Sequence, residues 1–243
     1  MEALMSRPAI QLPWGFQAGA SQVISQVMQT LTVPAAGAAE EPVFFEFGVY
    51  NASSVNFIAR TLQKRAAFGP ARRAAPVVYG FDSFQGLPTH WRRVFGHNEA
   101  FTAGSFRLSE LPKVHPNVRL VPGWFNETLP GFLDDLLSKG SSWARFVHID
   151  CDLYESTRQV LQSLAPLLRR GTVLVFDELV NYPEFAEGEL RALFEFLQEH
   201  RWSIRVLHGP WHVVREADEF AALEAEGVTE GDLSQAVALE LLS

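Results

Sequence analysis

Scarcity marks this chain before any motif does. Among its 243 residues there is one cysteine, Cys151, which excludes an intrachain disulfide framework and suits a reducing cytoplasm. No apolar run is long enough to span a membrane, and the N-terminus lacks a charged-then-apolar leader pattern, so neither a membrane nor an export route is expected. No basic stripe with interleaved aromatics is present. The pairs Arg72-Arg73 and Arg92-Arg93 are too short to form a patch, and the formal net charge is −8, so nucleic acid is not an expected partner. There is no internal repeat and no long low-complexity segment. What remains is a chain that is 47% hydrophobic, long enough for one large domain with a full core.

The chain is organised around two apolar runs that end in acids. Phe146-Val147-His148-Ile149 leads into Asp150-Cys151-Asp152, and Thr172-Val173-Leu174-Val175-Phe176 leads into Asp177-Glu178. Short, β-branched, nearly continuous apolar runs read as strands buried on both faces. Carboxylates at their exits lie at one edge of a parallel sheet, where open α/β folds hold ligands. Four carboxylates at one edge repel one another unless something positive lies between them, and a divalent cation is the simplest candidate.

Taken in order, residues 1–40 read as an arm with a helix over 16–31, whose Val23, Ile24, Val27 and Leu31 share a face. The main domain is expected over 41–215. Strands are predicted at 43–47, 77–81, 118–121, 146–149 and 172–176, alternating with helices that begin near Ser54, Pro130, Ser156 and Glu184. Ser53 or Ser54 can cap the first of these. Residues 202–207 and 211–214, joined by His208-Gly209-Pro210, read as a hairpin. This predicts an α/β fold: a mostly parallel seven-stranded sheet with an antiparallel terminal hairpin strand and helices on both faces. The tail, 216–243, reads as helical. The stretch 85–117 is longer than a compact sheet needs, and its Trp91, Phe95, Phe101 and Phe106, with His90 and His97, suggest a lid or substrate loop.

The turn after the first strand lacks what a dinucleotide site needs. Of the three glycines that let a backbone approach a pyrophosphate, only Gly48 is present, with Ala52 near where another would help. Glu46 would repel a pyrophosphate but suits an ammonium or sulfonium, and Asp82, at the end of the second strand, can accept from a ribose diol. An acid for a cationic head and an acid for a ribose point to S-adenosylmethionine rather than to a nicotinamide cofactor.

These residues carry a resemblance. Glu46-Phe47-Gly48-Val49-Tyr50, Gly80-Phe81-Asp82-Ser83-Phe84-Gln85-Gly86-Leu87-Pro88, Gly123-x-Phe125-x-Glu127-Thr128-Leu129-Pro130, the run from His148 to Thr157, and Phe176-Asp177-Glu178 fall in order over about 41–215. Together the chain resembles the macrocin/mycinamicin sugar O-methyltransferases, which include the aminocoumarin noviose methyltransferase. That resemblance implies a Rossmann-like class I methyltransferase using S-adenosylmethionine and Mg2+. It implies cofactor contacts at Glu46, Gly48, Ser54, Asp82, Ser83, Gly123, Phe125 and Asp150. Asp150, Asp177 and Glu178 would be metal ligands, and Asp152 the general base. Glu178 stands where the family usually has an aspartate.

The implied acceptor is a small hydroxylated molecule, most simply a sugar unit of a natural product. Another vicinal diol or a catechol could chelate the same cation, and an inert nucleoside-binding or structural protein could share the fold. Cys151 reads as a small buried residue and His148 as a satisfied core histidine. The helix over 184–200 and the tail carry apolar surface that could pair two copies.

Overall fold

The apolar runs pair into one sheet with the helices laid on both of its faces. The computed structural model describes residues 20–33, 41–68, 74–96, 99–140, 142–210, 212–214, 217–229 and 232–242. His97, the pair Arg72-Arg73, Trp211 and most of the N-terminal arm lie outside the described residues.

The strands are β1 (Glu41–Phe47), β2 (Val78–Asp82), β3 (Val118–Pro122), β4 (Ser142–Ile149), β5 (Val173–Phe176), β6 (Ile204–His208) and β7 (Val237–Leu241). Their order across the seven-stranded sheet is β3-β2-β1-β4-β5-β7-β6. The first five run parallel, while β7 pairs antiparallel with both β5 and β6. The strand order reverses between β1 and β4, and the crevice above such a switch point is where this architecture binds ligands.

Period-two alternation assigns side chains to the two faces. Phe45, Phe47, Val147, Ile149, Leu174 and Phe176 enter one core and Phe44, Phe146, Val173 and Val175 the other. The first core is covered by α3 (Phe125–Ser138), α4 (Tyr154–Leu164) and α5 (Glu189–His200), the second by α1 (Ala20–Thr30) and α2 (Ser53–Phe68). Val23, Ile24 and Val27, on one face of α1, are buried as the sequence implies, and so is Leu31 just past its end.

Three expectations shift. The expected partner strand at 211–214 does not form over the described 212–214; the antiparallel partner of β6 is β7, from the tail that reads as helical. Ala, Leu and Glu favour helix by only tenths of a kcal/mol per residue. Burying Val237, Leu239 and Leu241 in the slot between β5 and β6 is worth about 1.5–3 kcal/mol each, so packing decides. The tail does supply one helix, α6 (Ala217–Ala225). Second, α3 begins at Phe125 rather than Pro130, because Gly123 (φ 138°) turns the chain directly into it. Third, neither serine supplies the side-chain acceptor at the head of α2: Asn51 Oδ1 accepts the Ser53 N–H at 3.0 Å, while the Ser54 hydroxyl turns to Glu46.

Over its described residues the long 85–117 segment is an excursion from the sheet. It folds back on itself through backbone bonds from Leu87 N–H to Ser105 O and from Trp91 N–H to Phe101 O, each 2.9 Å. Its far end is fastened to α6. Both terminal nitrogens of the Arg93 guanidinium, Nη1 and Nη2, donate to Glu224 (2.7 and 3.0 Å), Gly96 N–H donates to the same carboxylate, and Phe95 packs edge-on against Phe220.

Candidate active site

Every element that borders the site arrives from the carboxyl ends of the parallel strands. After β1 the chain turns at Gly48, whose φ of 86° admits glycine readily. A Cβ there would lie 1.6 Å from the Asp150 carbonyl oxygen, so the glycine is what lets the first turn lie against the end of β4. Asp82 braces the same turn. Its Oδ2 accepts the backbone N–H groups of Val49 and Tyr50 (2.8 Å each), and its Oδ1 accepts that of Phe84 (2.6 Å). The carboxylate the sequence offers to a ribose is thus first an organiser of two loops, with little accepting capacity left over.

Above this floor lies a cavity of about 950 Å³. Gly48, Asp82, Ser83, Gly123, Phe125 and Asp150 line it, as does Asp152. Glu46 and Ser54 do not. Glu46 is fully buried beneath the floor, accepting from Ser54 Oγ (3.0 Å) and facing His148 Nδ1 at 3.0 Å, its register partner on β4. The other imidazole nitrogen, Nε2, stands 3.6 Å from Asp177 Oδ1, an ion-pair separation too long for a hydrogen bond. Burial opposes protonation of His148, but Asp177, Glu46 and Asp150 together hold its pKa well above the usual histidine range. A cationic His148 therefore compensates the acids on either side of it. Burial, chiefly, pushes the Glu46 carboxyl up despite that contact.

The remaining acids gather one layer higher. Donor atoms of Asp150, Asp152 and Glu178 lie within 4.8 Å of one another, and so do those of His148, Asp150 and Asp177. Asp150 belongs to both groups. Asp177, expected as a metal ligand with Asp150 and Glu178, groups instead with His148 and Asp150, and Asp152, expected as the general base, shares the cluster of Asp150 and Glu178. Burial and then the neighbouring Asp177 hold both Asp150 and Glu178 well above the ordinary carboxylate range. Glu178 Oε2 is buried without a hydrogen-bond partner. An oxygen-only cluster with an orphaned carboxylate oxygen matches what a hard divalent cation takes; the group containing His148 fits one less well, since an imidazole held protonated has no lone pair to offer.

Backbone strain concentrates here. Asp152 has φ 62° and is closed into a three-residue turn by Leu153 N–H donating to Cys151 O at 2.6 Å. A left-handed non-glycine residue costs of order 1–3 kcal/mol and persists where surroundings enforce it. Behind the turn, Thr157 Oγ1 donates to the buried Glu189 Oε1 (3.1 Å) and contacts Cys151 Sγ (3.4 Å). Burial and then Glu189 push the Cys151 thiol up, so it is no thiolate nucleophile.

The aromatics of the long segment divide. Phe95 goes into the core, whereas Trp91, Phe101 and Phe106 line the cavity. Phe106 stacks edge-on against Tyr50 of the first turn (5.6 Å), and both hold positive φ. Residues that sequence reasoning missed also converge. The Arg92 guanidinium lies over the rings of Trp91 (4.0 Å) and Tyr182 (4.5 Å). Asn181 ties the loop after β5 to 212–214 and Ser234, accepting from Val214 N–H (2.9 Å) and donating to His212 O and Ser234 O. Glu189 offered only its place in an amphipathic helix, and Tyr182 only its nearness to Asp177.

Comparison with known proteins places this geometry. The chain is 32% identical over 151 residues to a tetracenomycin-C rhamnosyl 4'-O-methyltransferase of Streptomyces olivaceus, covering 55% of this chain and 51% of that one. It is 32% identical over 139 residues to demethyldecarbamoylnovobiocin O-methyltransferase of Streptomyces niveus, covering 50% of each. The chain thus spans about half the length of the curated relatives it matches. Among solved structures it is similar to the calicheamicin methyltransferase CalS11 (TM-score 0.56, 23% identity, 91% of this chain and 76% of that one). It is similar also to the O-methyltransferase NovP (TM-score 0.52, 18% identity, 92% and 78%). At those identities the structural likeness speaks to the fold. The resemblance read from the motifs is borne out by these relatives. A family model described as a methyltransferase domain matches residues 45–179, more than half of the chain and every strand end that borders the cavity, and the chain belongs to that methyltransferase family.

Proposed function

We propose that this protein is an S-adenosylmethionine-dependent, Mg2+-assisted O-methyltransferase acting on a hydroxyl of a small molecule, a sugar unit of a natural product. The observation that carries this reading is the cluster of Asp150, Asp152 and Glu178 in the wall of a cavity large enough for a nucleoside cofactor and an acceptor together. The relatives' names, both O-methyltransferases and one a rhamnosyl O-methyltransferase, support the acceptor class.

The cofactor would lie over Gly48, against Asp82, Ser83, Gly123, Phe125 and Asp150. Glu46 and Ser54 would act from beneath, by holding the floor. Asp150 and Glu178 would hold the cation, and Asp177, which shares the second group with Asp150, would stand behind them. Bound S-adenosylmethionine supplies an electrophilic methyl group, and bound Mg2+ lowers the pKa of a hydroxyl it meets. The chain's own contribution is alignment, proton removal and exclusion of water. Asp152 Oδ accepts the acceptor's hydroxyl proton, and its strained turn fixes where that carboxylate points. Trp91, Phe101 and Phe106 roof the cavity and keep water from the reacting atoms. The 85–117 segment closes as a lid hinged on its anchor to α6.

Calorimetric titration of S-adenosylmethionine into the purified protein, with and without MgCl2, tests this directly. Saturable binding is expected in both buffers. Absence of binding in either would overturn the cofactor assignment and favour a folded but inert protein.

A further inference from the structure

Beside the main cavity lies a second chamber of about 190 Å³. Trp91 and Asp152 border both, so the acid assigned to proton removal stands between them. Tyr182, Arg92, Gly188 and the exposed acids Glu184 and Glu187 line the chamber. Tyr182 is 2% exposed, yet its hydroxyl has no hydrogen-bond partner. A buried hydroxyl left unpaired costs roughly 1–3 kcal/mol, so its retention calls for a partner that enters from outside. Gly188 makes room for it, since a Cβ there would lie 2.3 Å from the hydroxyl oxygen.

The chemistry of the walls narrows what enters. Asp152, Glu184 and Glu187 repel an anion. The Arg92 guanidinium, which lies over both the Trp91 and the Tyr182 rings, offsets one of these charges and carries only donors, which an ammonium cannot accept. Burial and then Glu189 hold the Tyr182 phenol protonated, so it donates. At about 30 Å³ of liquid volume per water, the chamber has room for part of a sugar ring and none for a nucleoside. We propose that this chamber is an acceptor subsite for a neutral hydroxyl adjacent to the methylated position, and that Tyr182 is the specificity-determining residue that reads it. The inference rests on the methyltransferase reading, because it takes Asp152 as the point where the acceptor hydroxyl is held.

The test uses the full chain with S-adenosylhomocysteine and MgCl2, titrated with methyl α-L-rhamnopyranoside and its monodeoxy analogues by ligand-observed NMR. Tyr182→Phe is expected to weaken binding of the parent glycoside about five- to tenfold, the worth of one hydrogen bond. It should leave unchanged the binding of the one analogue that lacks the hydroxyl it reads. Gly188→Ala, which displaces the phenol without removing it, should reproduce that selectivity. S-adenosylhomocysteine affinity should match wild type in both variants. The subsite is overturned if Tyr182→Phe binds the parent as wild type does, if it weakens every analogue equally, or if wild type charged with S-adenosylhomocysteine binds none of the glycosides. Failure of wild type to bind S-adenosylhomocysteine would instead remove the methyltransferase reading, and this subsite with it.

Discussion

Two groups of acids sit at the same edge of the same sheet, and they are compensated in different ways. In the lower group, Glu46 and Asp177 flank His148, a fully buried imidazole whose two nitrogens face one carboxylate each. The upper group gathers Asp150, Asp152 and Glu178. The lower group is neutralised by the fold and can serve as foundation. The upper group leaves a buried carboxylate oxygen, Glu178 Oε2, without a hydrogen-bond partner, and an orphaned acceptor is what a ligand bringing positive charge would meet. Asp150 links the two, so whatever binds above is felt below.

The comparison breaks most visibly in the upper group. Asp152→Asn should cost about 10²–10⁴ in turnover, the usual worth of a general base, with S-adenosylhomocysteine affinity intact by calorimetry. Glu178→Gln should instead raise the MgCl2 concentration needed for half-maximal rate. If the two variants shared one phenotype, base and ligand would not be separable roles.

Removing the cation of the lower group should appear as lost stability. His148→Ala leaves Glu46 a buried carboxylate with Ser54 alone, and truncating one partner of a buried pair typically costs about 3–5 kcal/mol. Urea unfolding should show that loss, and a midpoint equal to wild type would mean the imidazole is no counter-charge.

Next in size is a pH effect. Burial, then Asp152, pushes the Glu189 carboxyl from an ordinary 4.5 up to about 8. The unfolded chain therefore gives up this proton first. The stability it contributes is present below about pH 4.5 and is lost as pH climbs toward 8. Glu189→Gln should flatten the fall in melting temperature across that window. Added MgCl2 should stabilise wild type more at pH 8 than at pH 5, because its carboxylate ligands must shed protons to bind it; equal stabilisation at both would point to non-specific binding.

The smallest effect concerns the roof. Phe106 is 38% exposed and Tyr50 43%, so Phe106→Ala should lower stability by less than about 1 kcal/mol. It should nonetheless speed proteolysis within 85–117 and weaken the protection conferred by S-adenosylhomocysteine. Cleavage indifferent to the cofactor in wild type would argue against closure.

How far the sequence reached can be judged residue by residue. Strands ending in acids were legible because burial on both faces demands continuous apolar runs, and a chain leaving a strand must emerge at the sheet edge. Gly48, Asp82, Asp150 and Asp152 were found that way, and all four line the cavity. The motifs also carried the family. Cys151 and His148 were read as core residues, and both are buried. Strand β7 escaped because Val-Ala-Leu-Glu-Leu has no local signal that separates a strand from a helix.

By itself, then, the sequence determined the parallel core, the edge at which chemistry gathers and the residue types present there, since these follow from local periodicity and from where carboxylates can be placed. Only the tertiary structure decided which acid faces which. That Asp177 turns to His148 while Asp152 joins Glu178, that Glu46 lies under the floor, and that Tyr182 and Arg92 form a side chamber with Asp152 all depend on contacts between residues far apart in the chain. Such distances are set by packing and by charge compensation in three dimensions, which spacing along one strand does not encode.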